Sequence, residues 1–409
     1  MSRGPQPSNG VSGEESGSSF QIPGANGLRA IACLLVLGHH LFQRFNPEES
    51  NTFHKALHFF WIRGEAGVSL FFVLSGCLLS LPFWIAFSIG KPFPSIKRYA
   101  RLRAVRIVPA FWINLVICTI VSVVILGIDF DFKKLISALL FINNYHYSTF
   151  FPSEINGPLW SIGLEVSCYI LMPAVLLTIF RKTSTLRSAS ILLTLWIILL
   201  QLLNPLIISI FMTENKQKGW EFGIDGGAKQ WLPYWNTATF LTQFLLGSLA
   251  ALIIVWLARK DPRKYLLFDA TAVVLFLSAF MMLMLRLTPG SPDVLSKQPY
   301  VSPFFAMLMA ALLIALSQTL HVARLLDNRF FNWIAKLSFG VYLWHVLVIE
   351  IIARKFERSF VYYGVSSFWL WSLIASIVVI ATFAIASLSW RYMESPLLAK
   401  ARRGEVKQY

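Results

Sequence analysis

Ten apolar stretches follow one another along this chain, each long enough for a helix to cross a bilayer. They fall at roughly 28–45, 66–89, 107–127, 157–180, 188–212, 236–258, 266–287, 302–320, 336–353 and 367–390. A further apolar run near 135–142 is too short to span and reads as a re-entrant or interfacial piece. The pattern predicts an all-α polytopic membrane bundle of about ten transmembrane helices plus that piece. Composition agrees: hydrophobic residues make up 56% of 409 and charged residues 14%, where a soluble domain carries about a quarter charged.

The loops between the stretches sort by charge. One set carries Lys91, Lys97, Arg98, Arg101, Arg103 and Arg106, then Arg181, Lys182 and Arg187, then Arg259, Lys260, Arg263 and Lys264, then Arg324 and Arg329. The alternate set is longer and nearly balanced, with Lys55 and Arg63 against Glu48 and Glu49, and Lys216, Lys218 and Lys229 against Glu214, Glu221 and Asp225. The positive-inside rule puts the first set and both termini in the cytoplasm. Because the basic residues alternate with spans, the net charge of +16 marks topology and not nucleic-acid binding. Residues 1–20, rich in Ser, Gly and Pro, read as a disordered cytoplasmic tail. Residues 21–398 form the membrane domain, and 399–409 a basic cytoplasmic tail. Cys33, Cys77, Cys118 and Cys168 lie in apolar runs and read as small buried hydrophobes. No His/Cys spacing suggests a metal site, and no Gly-rich phosphate loop occurs.

Within the first stretch, NGLRAIACLLVLGHHLF, Arg29 and His40 stand eleven residues apart. Eleven helical steps return a side chain to within about 20° of its start, about 16 Å along the axis. The two share a face. A bland account has His40 bonded to a neighbouring helix and Arg29 snorkelling to headgroups. Two further ionisable groups argue for more. By the topology above, Glu165 and His345 lie at depths similar to His40, and intramembrane ionisable groups are functional candidates. The three are expected to converge on one internal cavity.

These residues sit in segments that resemble the integral-membrane acyltransferase-3 family, whose members O-acylate envelope sugars and other acceptors using acyl-CoA. The likeness runs in order along almost the whole chain. NGLRAIACLLVLGHH resembles the family's opening DGLR…H segment, with Arg29 and His40 at its Arg and His positions. GVSLFFVLSG (67–76) resembles its second-span motif. RLRAVRIVPAFW (101–112) resembles its RxxRIxP loop at Arg103, Arg106 and Pro109. PLWSIGLEVSCYILMP (158–173) resembles its WSLxxE segment, with Glu165 at the acidic position. KLSFGVYLWH (336–345) resembles its SYxxYLxH segment, and SWRYMESP (389–396) its closing ExP. Asn26, Ser69 and Phe339 depart from the residues usual at their positions.

The resemblance implies acyl transfer from acyl-CoA, acetyl-CoA foremost, to a hydroxyl of a carbohydrate or other envelope acceptor. That chemistry needs a base, oxyanion stabilisation and a grip on the donor. His40 is the best base in the chain, because imidazole titrates near neutral pH. Glu165 would orient it and stabilise its cation. His39, about 100° round the helix, is more readily a packing residue. Arg29, Arg103 and Arg106 at the cytoplasmic edge suit the phosphates of coenzyme A, although Arg103 and Arg106 would serve equally as a lipid-headgroup anchor. His345, Ser75, Trp160 and Tyr342 are further candidates. Trp160, Tyr342 and Trp344 more often pack or form an interfacial belt. Ser75, Ser161 and Ser338 more often bind neighbouring helices. Glu350 is expected to be solvated, and Glu394, before Pro396, to end its helix in an ion pair with Arg391.

A multi-pass transporter of a small anionic or sugar-like solute suits the span count equally well, but no matched Gly/Pro-broken helices occur in two halves. A silent scaffold is disfavoured by the retained Arg29, His40 and Glu165. No Asn-x-Ser/Thr sequon occurs, which favours a bacterial inner membrane.

Overall fold

A computed structural model describes residues 22–212, 216–260, 265–285 and 302–403. The expected N-terminal tail, residues 404–409 of the basic tail, and Glu214, Arg263 and Lys264 lie outside the described residues. Within them the chain is helical, with no strand beyond an isolated bridge between Phe45 and Val365. The long helices are α1 (Ala25–Phe42), α2 (Ala66–Ser88), α3 (Ile96–Ile120), α4 (Trp160–Lys182), α5 (Leu186–Met212), α6 (Thr237–Lys260), α7 (Leu266–Met284), α8 (Ser302–Ser317), α9 (Arg329–Lys355) and α10 (Phe368–Ser389).

Among the described residues, nine of these helices are long and apolar enough to cross a membrane. The exception is α8, whose 16 residues rise about 24 Å against a hydrocarbon core of about 30 Å. The stretch expected over 302–320 is therefore an apolar helix short of a full span. The short run near 135–142 is an eight-residue helix, Phe132–Leu139, followed by single turns through Phe150.

Burial orders the bundle. In α6, 78% of the apolar window is buried, against 17% in α5 and α7. So α6 is the hub and the other two form the rim. The hub is reached by close backbone approach. Gly76 of α2 lies against the Phe244 carbonyl, and Gly247 of α6 against the Val73 carbonyl, so a Cβ at either would collide with main chain. In lipid such small-residue contacts supply the packing that hydrophobicity cannot. Gly76→Val and Gly247→Val are each expected to destabilise by about 1–3 kcal/mol. In a thermal-shift measurement in detergent, midpoints equal to wild type would remove this contact as a support.

α1 packs against α9 and α2, and its start is tied down without local charge. Gly24, at φ 79°, donates its N–H to Asp327 Oδ2 at 2.6 Å, and Asn26 Nδ2 donates to Asn332 Oδ1 at 2.7 Å. The acid absent at Asn26 is thus replaced across the fold by Asp327, which meets the positive end of the helix. At the other end of α1, Trp371 Nε1 donates to the Leu41 carbonyl at 2.9 Å. Both ends of the helix that carries Arg29 and His40 are fixed.

Candidate active site

Two cavities open along α1, one at each end. The smaller, about 340 Å³, is lined by Arg29, Arg103, Arg106, Glu165, Tyr169 and Ser75 among others. Arg103 and Arg106 lie three residues apart on α3 and so share a face. Ser95 caps this helix, its Oγ accepting from Arg98 N–H at 3.3 Å. Among the described residues, none of these three guanidinium groups has a hydrogen bond or an ion pair. Arg106 does lie 5.6 Å from the centre of the Trp390 ring. Glu165 is the one carboxylate among the lining residues. It accepts from Tyr169 OH, and from Ser75 Oγ at 3.5 Å. Three partly buried cations facing one space repel each other, so the cavity is built to receive an anion.

The larger cavity, about 1190 Å³, is lined by His39, His40, Gln43, Arg44, Glu350 and a wall of aromatic residues. In that wall Trp160 stacks on Trp235 at 4.2 Å, and Trp235 on Trp231 at 4.9 Å. Arg44, only 3% exposed, pairs with Glu350 at 2.6 Å, and Glu350 also takes Arg354 at 3.1 Å. His39 Nδ1 meets the Ile62 carbonyl at 2.7 Å, and His40 Nδ1 meets Gln43 Oε1 at 3.0 Å.

Val68 and Tyr342 line both cavities. Tyr342 OH donates to the Pro158 carbonyl at 3.0 Å and lies 2.6 Å from Ser161 Oγ. Asn114 and Asn156 each donate to the Leu343 carbonyl at 2.9 Å. This ties α3 and the entry to α4 onto α9 at the level of Tyr342. The tyrosine ring therefore stands fixed between the basic space and the imidazoles.

Several sequence expectations meet this geometry differently. Arg29, Arg103 and Arg106 do come together. Glu165 joins them and not His40. Trp160 lines the histidine cavity, and Glu165 lies five residues further along α4, about 7.5 Å deeper and about 140° round the helix. The single cavity expected for His40, Glu165 and His345 is therefore two cavities, and the side chain that His40 Nδ1 bonds is Gln43. His345 lies behind His40, with ring centres 5.1 Å apart. It lines neither cavity, and its Nδ1 faces the Val341 and Tyr342 carbonyls at 3.0 and 2.8 Å. Ser75 and Ser161 reach neighbouring helices, but Ser338 bonds Ala335 within its own helix.

Glu350 is not a free solvated charge but a largely buried partner of Arg44 and Arg354. Glu394 is buried, accepts from Ser389 Oγ at 3.2 Å and makes no ion pair with Arg391, whose guanidinium lies over Tyr392. Pro396 does not end the helix either. A π turn at Trp390–Glu394 shifts the hydrogen-bond register ahead of it, and helix resumes over Ser395–Arg403. That segment brings Leu398, at the end of the expected membrane domain, and Arg402, expected in the basic tail, to the arginine cavity.

Sequence reasoning missed Tyr169 and Gln43. Both were within reach, since Tyr169 follows Glu165 by four residues and Gln43 follows His40 by three, which puts each pair on one helix face. Among the described residues, no group of three or more His, Cys, Asp or Glu side chains could hold a metal ion. The four cysteines are buried and unpaired.

Within this helical bundle a basic cavity and an imidazole cavity thus meet at Val68 and Tyr342. The sequence profile of a family described as an acyltransferase domain matches residues 22–391, and the chain belongs to this acyltransferase-3 family. It is 26% identical over 400 residues to the peptidoglycan O-acetyltransferase OatA of Listeria monocytogenes, covering 92% of this chain and 56% of that protein. It is 25% identical over 395 residues to the O-acetyltransferase OatA of Staphylococcus aureus, covering 93% and 57%. The chain thus spans little more than half the length of these curated relatives. No solved structure matches it.

Proposed function

We propose that this protein is an integral-membrane O-acyltransferase that moves an acyl group, acetyl foremost, from acyl-CoA to a hydroxyl of an envelope carbohydrate. The observation that carries the reading is the meeting of the two cavities at Tyr342, with unpaired guanidinium groups on one side and His40 on the other. The phosphates of the donor would lie against Arg29, Arg103 and Arg106, with Glu165 as the counter-charge that spaces them. The pantetheine arm has about 16 Å to cover between Arg29 and His40. His40 would take the proton of the acceptor hydroxyl as its oxygen attacks the thioester carbonyl. The C–S bond then breaks, and the departing thiolate takes that proton back from the imidazolium. The relatives' printed names support an acetyl group and a peptidoglycan-like acceptor.

Purified protein in nanodiscs, given acyl-labelled acyl-CoA and soluble glycan oligomers, is expected to yield labelled glycan. Intact donor after prolonged incubation with every acceptor would overturn the reading. By this reading the arginine cavity faces the cytoplasm of a bacterial inner membrane and the termini share that side. Single cysteines placed in residues 90–106 are expected to react with impermeant reagents only from the cytoplasm, and those in 213–235 only from outside. Labelling of both from one side would overturn this topology.

A further inference from the structure

The two histidines at the end of α1 are joined by one side chain. Gln43 lies 3.0 Å from His40 through its Oε1, and 3.0 Å from His39 Nε2 through its Nε2. His39 Nδ1 in turn lies 2.7 Å from the Ile62 carbonyl. These contacts have only one consistent set of protons for neutral imidazoles. A carbonyl oxygen can only accept, so His39 carries its proton on Nδ1. Its Nε2 is then a lone pair and must accept, which turns the Gln43 amide nitrogen towards it. The Gln43 oxygen is left facing His40 Nδ1, which must therefore donate. The lone pair of His40 is consequently on Nε2. The chain of donors runs from His40 through Gln43 and His39 to a main-chain carbonyl.

We infer that Gln43, held by His39 and the Ile62 carbonyl, is a positioning residue that fixes the tautomer of His40 so that Nε2 is the atom that takes the acceptor's proton. The inference rests on the base role proposed for His40. It gives His39 a part in the site without making it a base. It also explains how His40 is oriented when the nearest glutamate of α4 lies in the other cavity. With Gln43 turned the other way its amide would donate to His40 Nδ1 and move the proton to Nε2. The group would then be unable to accept from a substrate hydroxyl there.

The test is steady-state kinetics of the full chain in nanodiscs with acetyl-CoA and a soluble glycan acceptor, for wild type, Gln43→Leu, Gln43→Glu and His40→Ala. Gln43→Leu keeps the bulk but can neither accept nor donate. It is expected to lower kcat at least about tenfold with donor KM unchanged, since a base that samples the wrong tautomer loses much of its catalytic contribution. Gln43→Glu keeps the shape and the acceptor oxygen and adds a negative charge beside the imidazole. A carboxylate favours the imidazolium, so the acid limb of the pH–kcat profile is expected to move up by roughly one unit or more. The other groups around His40 are the same in all these variants: His39 and Arg44 on its own segment, His345 and Glu350 from α9, and Arg63 and Glu65 ahead of α2. The movement therefore reports position 43. If Gln43→Leu fails to fold, the isosteric Gln43→Glu alone decides. A Gln43→Leu enzyme with wild-type kcat, or a Gln43→Glu enzyme whose acid limb stays in place, overturns the inference. If His40→Ala is inactive in either of those cases, the base role survives and only the positioning falls. An active His40→Ala enzyme overturns both.

Discussion

His40→Ala is expected to lower acyl transfer by roughly 10²- to 10⁴-fold, the range lost with a general base, while folding and donor binding stay as in wild type. Expression is expected to hold because the imidazole lines a cavity of about 1190 Å³ and is not locked into the core. Donor binding is expected to hold because the guanidinium groups line the other cavity. His345→Ala is the informative comparison. Its ring sits 5.1 Å from that of His40 and is 1% exposed, and its Nε2 has no hydrogen-bond partner among the described residues. Removing it leaves a void behind His40, so a moderate loss of rate is expected, smaller than that of His40→Ala. The measurement is single-turnover transfer from acyl-labelled donor, with binding assayed separately. An active His40→Ala alongside an inactive His345→Ala would move the base to α9. Label retained on the protein when acceptor is withheld, lost in His40→Ala, would replace direct transfer with an acyl-histidine intermediate.

The spans were legible because twenty apolar residues bounded by basic loops have few alternatives to a helix in lipid. The exception, α8, shows the limit. The expected stretch runs to residue 320, but Ser317, Gln318 and Thr319 are polar and the main chain turns there, with Thr319 Oγ1 bonded to the Leu316 carbonyl at 2.9 Å. Depth was less so, since Glu165, expected level with His40, lines the cavity at the Arg29 end of α1. Which cavity a residue faces was not legible. Glu165 and His40 lie on helices that do not share a common axis, and the rotation of α4 is set by the stacking of Trp160 on Trp235 and by the Asn156 bond to α9. Trp235 lies 75 residues beyond Trp160 in sequence, and no local pattern announces that contact. Arg44 and Glu350 were hidden for the same reason. Each looks like an ordinary helix-end charge until α1 and α9 are brought together. The arginine cluster was readable because Arg103 and Arg106 share a helix face and topology alone brings Arg29 to the same edge.

Arg29→Ala and Arg106→Ala are each expected to weaken acyl-CoA binding by about 1–3 kcal/mol, the value of a charge-assisted hydrogen bond, or roughly 5- to 150-fold in Kd. The unpaired state of these groups is what makes the loss large. A guanidinium already engaged in an ion pair would have to break it to bind phosphate, whereas these have no such pair among the described residues, and mutual repulsion raises the gain on adding an anion. Two features separate donor binding from lipid anchoring. First, an anchor residue at the headgroup level would shift orientation or stability and leave the donor Kd unchanged. Second, removing the phosphates from the ligand should abolish the difference between variant and wild type. Binding of acyl-CoA and of the acylated pantetheine fragment is therefore compared by calorimetry in nanodiscs, at low and high salt. The expected pattern is an affinity of wild type for acyl-CoA that weakens as salt rises, more steeply than that of Arg106→Ala, and little difference between the two for the fragment. Arg106 carries the sharper expectation, because its guanidinium also lies 5.6 Å from the centre of the Trp390 ring, which restricts its side chain. Arg106→Lys keeps the charge but loses the planar two-point grip, so its Kd should fall between those of wild type and Arg106→Ala. Equal affinities for acyl-CoA across all four proteins would assign these arginines to the lipid surface and leave the basic cavity without its proposed occupant.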